Sequence, residues 1–167
     1  MKLIDAIKGG DASVVCQLLK SGEDVDARVN EYSELPGLAA YGAVPQVTLI
    51  AYVIQAVVHG GADRQAALRM ADVLLNVNRR HGRYAGASLD ATFMMMVEGL
   101  WEDRNHNEYT YKIREHAVPV TVEAYIRSLL PTYEGQEADF LGAILNLILV
   151  AKAREAANHL LASACPA

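Results

Sequence analysis

Charged and aromatic side chains are both scarce in this chain of 167 residues. Charged residues make up 21% of it and aromatic residues only 7%, comprising eight tyrosines, two phenylalanines and one tryptophan. Hydrophobic residues make up 52%, and most of them are alanine, valine, leucine or isoleucine. This composition excludes a disordered chain. Its small and branched aliphatic side chains favour closely packed helices.

The chain contains only two cysteines, Cys16 and Cys165. They lie near opposite ends of the chain and form no Cys-x-x-Cys pair. That spacing excludes a disulfide framework and a zinc ribbon. Cys16 lies in an apolar helical stripe and is interpreted as a small core residue. We therefore expect neither a metal site nor a cofactor.

Long apolar segments are missing too. No apolar stretch of adequate length follows Lys2, and an acid occupies position 5, so we do not expect a signal peptide. The most apolar run, 140–151, is much shorter than the roughly 20 residues that span a bilayer. A net charge of −5 argues against a dedicated nucleic-acid binder, which usually carries a basic face. The sequence thus predicts a cytoplasmic protein without membrane or nucleic-acid partners.

Helical periodicity and helix boundary signals dominate the rest of the chain. They predict an all-α protein, a compact multi-helix bundle of roughly eight or nine helices that forms a single domain over residues 1–167. The helix 45–59 and the part of the last helix over 140–161 are apolar on nearly every side over much of their length, and we expect the other helices to surround them. The predicted helices cover residues 2–8, 11–20, 37–41, 45–59, 63–80, a segment from 88 or 90 to about 101, 122–130 and 136–161.

One segment fits a strand as well as a helix. Residues 108–113 alternate apolar and polar side chains. Their only sequence candidate for a partner strand is 118–122, which is too little for a stable sheet.

The N-terminal segment Asp5–Ala27, with the sequence DAIKGGDASVVCQLLKSGEDVDA, resembles an ankyrin repeat. Leu38, Ala39 and Ala40 continue the register of a second, degenerate repeat, although the threonine and histidine that lock the family's turn are absent. The resemblance extends over residues 3–63. It implies an ankyrin-like N-terminal helical hairpin and protein binding through its turns and helical face, without catalytic residues. A helical hairpin unrelated to that family is the alternative.

Flexible and amphipathic side chains in the second half of the chain predict a binding face. Methionine adapts to irregular partners, and tyrosine supplies contact area at low entropic cost. We expect such a face to bind another protein or a second copy of the chain as a homodimer, although packing in the core explains the same residues. The candidate residues are Met94, Met95, Trp101, Tyr109, Tyr111 and Tyr125.

The alternative function is a small helical enzyme or small-molecule binder with a pocket between helices. Glu98, Glu102 and His106 follow one another at i, i+4 spacing, which places them on one face of a helix, and His116 follows. Such carboxylates and imidazoles perform acid–base catalysis, and side chains at this spacing could instead hold a metal ion. A solvated helix end with surface ion pairs is the plainer interpretation of the same residues.

A basic cluster offers a third candidate site. Arg79, Arg80 and Arg83 lie at the C-terminus of a predicted helix, where the helix dipole favours cations. They could bind a phosphate or an acidic partner. Motifs for nucleophilic catalysis and glycine-rich phosphate loops are absent from the sequence.

Overall fold

Helices form the larger part of the structure, a computed structural model that describes residues 2–29, 46–76, 78–79, 83–84, 86–105 and 108–164. Within these ranges there are six α-helices: α1 Lys2–Lys8, α2 Ala12–Ser21, α3 Leu49–Val58, α4 Arg64–Asn76, α5 Val122–Leu129 and α6 Gln136–Ala164. The strands are β1 Arg28–Val29, β2 Val47–Thr48, β3 Asn78–Arg79, β4 Arg83–Tyr84, β5 Thr92–Asn105 and β6 Glu108–Thr121. A 3₁₀ turn, Leu130–Thr132, follows α5.

Local capping signals set the helix boundaries where the sequence predicts them. The side chains of Asp11, Asp63 and Thr121 each accept a hydrogen bond from the backbone amide three residues later, at 3.1, 2.7 and 3.2 Å. Each cap satisfies an amide that has no partner within its helix and stabilises the helix by about 1 kcal/mol. Gly22 ends α2 in the left-handed conformation, with φ of 111°. These predicted boundaries are confirmed.

Helix α3 lies at the centre of the core, as predicted. Eight of its residues are buried, and its N-cap is Thr48, because β2 occupies the first part of the helix predicted from residue 45. Helix α4 packs against α2, α3 and α6.

Among the described residues Gln55 is the buried polar side chain, and its Oε1 has no hydrogen-bond partner. Cys16, expected in the core, is only half-buried.

The prediction that α6 is surrounded on all sides is wrong for its second half. One face of the helix is buried as far as Ala151, where it packs against α4 and α5. Leu149 and Val150 already face solvent. The neighbouring helices end before α6 does, so its last turns extend beyond the elements that cover its first half.

The helix predicted from Ser88 or Asp90 is wrong, because residues 92–105 form β5. This strand pairs antiparallel with β6, with Thr92 opposite Thr121 and Asn105 opposite Glu108. The prediction failed because residues 93–97 are a continuous apolar run, which does not distinguish a strand from a buried helix.

The strand interpretation of 108–113 is confirmed, but its partner is β5 and not 118–122. The described residues contain six α-helices and not eight or nine, because a hairpin replaces one predicted helix and a second predicted helix falls outside the described residues. The helix predicted at 37–41 lies outside the described residues.

Helix α4 ends at Asn76, short of the predicted Arg80, and residues 86–88 then cross its C-terminus. The amide of Ala87 donates to the carbonyl oxygen of Leu74 at 2.8 Å, which satisfies a carbonyl that has no partner within the helix. The amide of Ser88 donates to Asp26 Oδ1 at 2.7 Å. This contact connects the crossing segment to the turn after α2. This turn belongs to the N-terminal segment that resembles an ankyrin repeat. That the segment belongs to the ankyrin family stays a prediction.

Candidate functional site

The C-terminal half of α6 is held to the rest of the chain by two basic side chains. Lys152 Nζ lies 2.6 Å from Glu123 Oε2 on α5, and Arg127 contacts the same carboxylate at 3.2 Å. Two residues further along α6, the guanidinium of Arg154 donates to Asn76 Oδ1 at the end of α4. These contacts are the last described polar links between α6 and the other helices.

Beyond Arg154 the helix continues to Ala164, and its described side chains are exposed. Ten residues of α-helix are about 15 Å long. An isolated helix of fewer than about 12 to 15 residues is marginally stable in water. The last turns of α6 therefore gain stability from any surface that packs against them.

A continuous apolar surface runs along the exposed side of this half of α6. Its four large side chains have exposed fractions of 39% for Leu149, 54% for Val150, 68% for Leu160 and 65% for Leu161. Small exposed alanines fill the positions between them. We call this surface the outer stripe and define it as Leu149, Val150, Ala153, Ala156, Ala157, Leu160 and Leu161.

The outer stripe points away from the protein's own core. Successive residues of an α-helix are rotated by about 100° around its axis. By this rotation, the centre of the outer stripe lies nearly opposite to the buried face formed by Leu141, Ile144 and Ile148. On the side nearest the core, Glu155 and Asn158 line a narrow crevice. A surface helix normally turns its apolar side inward. The last turns of α6 do the reverse, and their apolar side is exposed in the described part of this chain.

The carboxylate of Glu123 connects α5 to α6 electrostatically. The hydrogen bond from Lys152 is the main cause that lowers the pKa of Glu123 below its ordinary value of 4.5, and the hydrogen bond from Arg127 lowers it further. A carboxyl group whose pKa is lowered by folding stabilises the folded state above its unfolded pKa. That contribution disappears as the pH falls through the lowered pKa.

Replacing Glu123 by glutamine is expected to remove this pH-dependent contribution. Because the ion pair is partly exposed, the variant should be less stable than the wild type at neutral pH by up to about 1 kcal/mol. The difference should shrink as the pH falls below 4.5 and vanish below the lowered pKa, where the wild-type carboxylate is also protonated. Urea unfolding at neutral pH and at a series of acidic pH values measures it. The Lys152→Met variant breaks the same ion pair from the other side and should behave alike. An undiminished difference in acid would contradict the assignment.

The helical spacing behind the predicted acid–base site is wrong. Glu98 and Glu102 lie on a strand, where residues four apart are separated by about 13 Å and not by one helical turn. His116 is opposite Val97, the neighbour of Glu98, so its position belongs to the other face of the hairpin. His106 lies outside the described residues. The register therefore does not bring these positions together.

Tyr125, predicted as a binding residue, belongs to the core. It is fully buried, and its ring centroid lies 5.1 Å from that of Phe93 in an edge-to-face arrangement at 83°. Met94 is exposed, whereas Met95 is half-buried against the core. The other three predicted binding residues, Trp101, Tyr109 and Tyr111, are on β5 and β6 at register positions opposite Lys112, Arg104 and Glu102.

The basic cluster lies in a small two-stranded turn and not at the end of a helix. Arg79 on β3 is paired with Arg83 on β4, and Arg80 lies outside the described residues. Because α4 ends at Asn76, Arg79 and Arg83 follow the helix and do not belong to its last turn, and their binding to a phosphate or an acidic partner stays a prediction.

A cleft of about 630 Å³ lies where the N-termini of α4 and α6 meet. Asp63 and Asp139 line it together with Arg64. The guanidinium of Arg64 already contacts Glu137 at 3.0 Å, so the cleft offers no uncompensated positive charge for an anion.

A second cavity, of about 260 Å³, lies between α1, α3 and α4 and has a largely apolar lining that includes Tyr52 and Met70. Across the described ranges, no three histidine, cysteine or acidic residues are grouped as a metal site would require. Nor does any described helix have the length and apolar character needed to cross a membrane.

Sequence reasoning missed the outer stripe, although the sequence contains a signal for it. The apolar positions of α6 shift from 141, 144 and 148 to 150, 153, 157 and 160, which moves the apolar face to the other side of the helix.

Comparisons with protein-family models, with curated proteins and with solved structures each found no match to this chain. The outer stripe is thus the strongest candidate site on geometric grounds alone.

Proposed function

We propose that the protein is a protein–protein interaction module that self-associates, with the α6 helices of two copies packed antiparallel through their outer stripes. The observation that carries this proposal is the orientation of the stripe, whose apolar side chains face away from the core. Exposed apolar patches of this kind typically mark interaction sites. The N-terminal resemblance to ankyrin repeats implies the same class of function.

The size profile of the outer stripe favours a second copy as the occupant. Large side chains stand at both ends of the stripe and alanines in the middle, so the profile is nearly palindromic about position 155. An antiparallel copy centred there places Val150 against Leu160 of the second copy. It also places Ala153 against Ala157 of the second copy. A twofold interface requires self-complementarity of this kind.

Polar groups do not oppose this packing. Lys152 and Arg154, the basic residues of this region, are bonded to Glu123 and Asn76 within the same chain. The alanines in the middle of the stripe allow the two helix axes to approach to about 8 Å, the close end of the usual range. Pairing would bury Leu160 and Leu161 and would also stabilise the last turns of α6.

Introducing a charge into the outer stripe is expected to abolish self-association. In the Leu161→Glu variant, dimerisation would bury two carboxylates without partners. The dissociation constant of the dimer should therefore rise at least about tenfold. The matched control is His159→Glu, which places the same charge at an exposed position two residues before Leu161 and about 160° away from it around the helix. Sedimentation velocity across the micromolar range measures both. A monomeric wild type, or equal effects of the two variants, would overturn the proposal.

Cysteine cross-linking tests the antiparallel arrangement in a background where Cys16 and Cys165 are replaced by serine. Ala153→Cys and Ala157→Cys proteins should form a disulfide when they are mixed, because position 153 faces position 157 of the second copy. Each protein alone should form little disulfide, since its two cysteines lie beyond the Cα separation of roughly 7 Å that a disulfide tolerates. Efficient cross-linking of each protein alone would indicate a parallel pair and contradict this geometry.

A further inference from the structure

The hairpin of β5 and β6 leaves two long strand edges without a strand partner among the described residues. Each strand has fourteen residues, and the two pair only with each other. The described side chains that pack on the core are those of Phe93, Met95 and Val120, at the base of the hairpin. A two-stranded ribbon gains stability when a further strand is added.

The position of Pro119 shows which backbone amides face the outer edges. Proline cannot donate to a ladder, and Pro119 lies opposite Met94, so this pair directs its backbone groups outward. Thr92 has the same parity as Met94, and its carbonyl oxygen accepts a hydrogen bond at 2.7 Å from the guanidinium of Arg28, outside the ladder. Residues of even number on β5 therefore present their amides and carbonyls to its outer edge.

The two outer edges differ in their capacity to accept another strand. Pro119 removes a donor from the edge of β6, which is a common protection against strand addition. The edge of β5 contains no proline from Met94 to Arg104. Only its first carbonyl, that of Thr92, has a described partner outside the ladder. The edge of β5 is therefore the better template for an added strand.

The charge of β5 indicates what kind of strand would fit. Its sequence contains three acidic residues, Glu98, Glu102 and Asp103, against one basic residue, Arg104. Pairing with β5 of a second copy would bring two acidic strands together, and like charges opposite each other are unfavourable. A basic strand gains from the same acidic residues.

We propose that the outer edge of β5 binds an extended, basic segment of another protein by strand addition. Backbone hydrogen bonds to the even-numbered residues supply the affinity, and the acidic residues of β5 select lysine or arginine in the partner. This surface is separate from the outer stripe of α6. The Leu161→Glu variant is therefore expected to bind the segment as the wild type does.

Fluorescence anisotropy with a labelled peptide of alternating lysine and valine tests this proposal. The peptide should bind the wild-type protein at least about tenfold more tightly than a peptide of alternating glutamate and valine does. The same lysine–valine peptide with every backbone amide methylated keeps its charge but cannot donate to the edge, and it should bind weakly. Comparable binding of the methylated peptide would show a purely electrostatic contact and would overturn strand addition.

Proline substitution at two cross-strand partners separates the two edges. Met96 and Ala117 are opposite each other, and both have outward-facing amides by the parity that Pro119 sets. Met96→Pro should weaken peptide binding by about tenfold because it removes a donor from the edge of β5. Ala117→Pro alters only the edge of β6 and should leave binding unchanged.

Circular dichroism and thermal unfolding establish that both proline variants remain folded, and the Glu102→Lys variant provides a readout that does not depend on proline. Glu102→Lys should largely abolish the preference between the two peptides, because it leaves two acidic and two basic residues on β5. Equal effects of Met96→Pro and Ala117→Pro, or an unchanged preference of Glu102→Lys, would contradict the assignment of the binding edge.

Discussion

Replacing Gly86 by alanine is expected to destabilise the protein by about 3 kcal/mol or more. A Cβ atom at this position would lie 1.8 Å from the carbonyl oxygen of Leu75 and 2.4 Å from its carbonyl carbon. Both are backbone atoms of α4, so no side-chain rotation relieves the overlap. The crossing segment must move away from α4, which breaks the hydrogen bond from Ala87 to Leu74. Steric overlap of this kind belongs to the small set of severe single substitutions.

Urea unfolding measures this effect, at one fixed protein concentration because self-association adds to apparent stability. Gly142→Ala is the matched control. Gly142 lies within α6, and a Cβ atom added there would meet no neighbouring atom within 4 Å, so alanine should stabilise the helix by about 0.5 to 1 kcal/mol. The same chemical change is thus expected to have opposite signs at two sites. A Gly86→Ala variant as stable as the wild type would show that the segment does not approach α4 so closely.

The helix boundaries could be predicted from the sequence because their determinants are local. Asp11, Asp63 and Thr121 each cap the helix that follows them, and Gly22 ends α2 through its left-handed conformation. Each of these signals involves residues within one turn of the boundary, so it is independent of the rest of the fold.

The β5–β6 hairpin could not be predicted with the same success because its pairing depends on residues distant in sequence. Thr92 pairs with Thr121, 29 positions later, and the apolar run that begins at Phe93 fits a buried helix equally well. Only the alternation at 108–113 indicated a strand. The partner of this segment is β5. The sequence did not indicate that pairing, because the strand preference of a segment depends on its packing context.

The outer stripe shows a different limit of sequence reasoning. The apolar residues of α6 are visible in the sequence, but which of them are covered depends on where α4 and α5 end relative to α6. Ala151 is the last residue of α6 that is buried in the described structure, and the polar contacts with α5 and α4 end at Lys152 and Arg154. The interpretation of an apolar helix as fully buried assumed that its neighbours are as long as it is.

Replacing Tyr125 by alanine is expected to destabilise the protein by about 4 kcal/mol. The side chain is fully buried on α5, and its ring meets that of Phe93 edge to face at 5.1 Å. The substitution removes a large apolar volume and leaves a cavity, which typically costs about 3–5 kcal/mol for aromatic residues. For a chain of this length we expect the melting temperature to fall by about 10 °C.

Tyr125→Phe provides the control because it keeps the ring and its contact with Phe93. It should cost only about 1 kcal/mol. A double-mutant cycle with Phe93→Ala isolates the aromatic contact itself, for which we expect a coupling of about 1 kcal/mol. Since Phe93 lies at the start of β5, hydrogen exchange of the β5 and β6 amides should accelerate in Tyr125→Ala more than that of α3. Uniform acceleration, or the absence of coupling, would mean that this contact does not hold the hairpin to the helical core, and the edge of β5 would then require another support to present its amides to a partner.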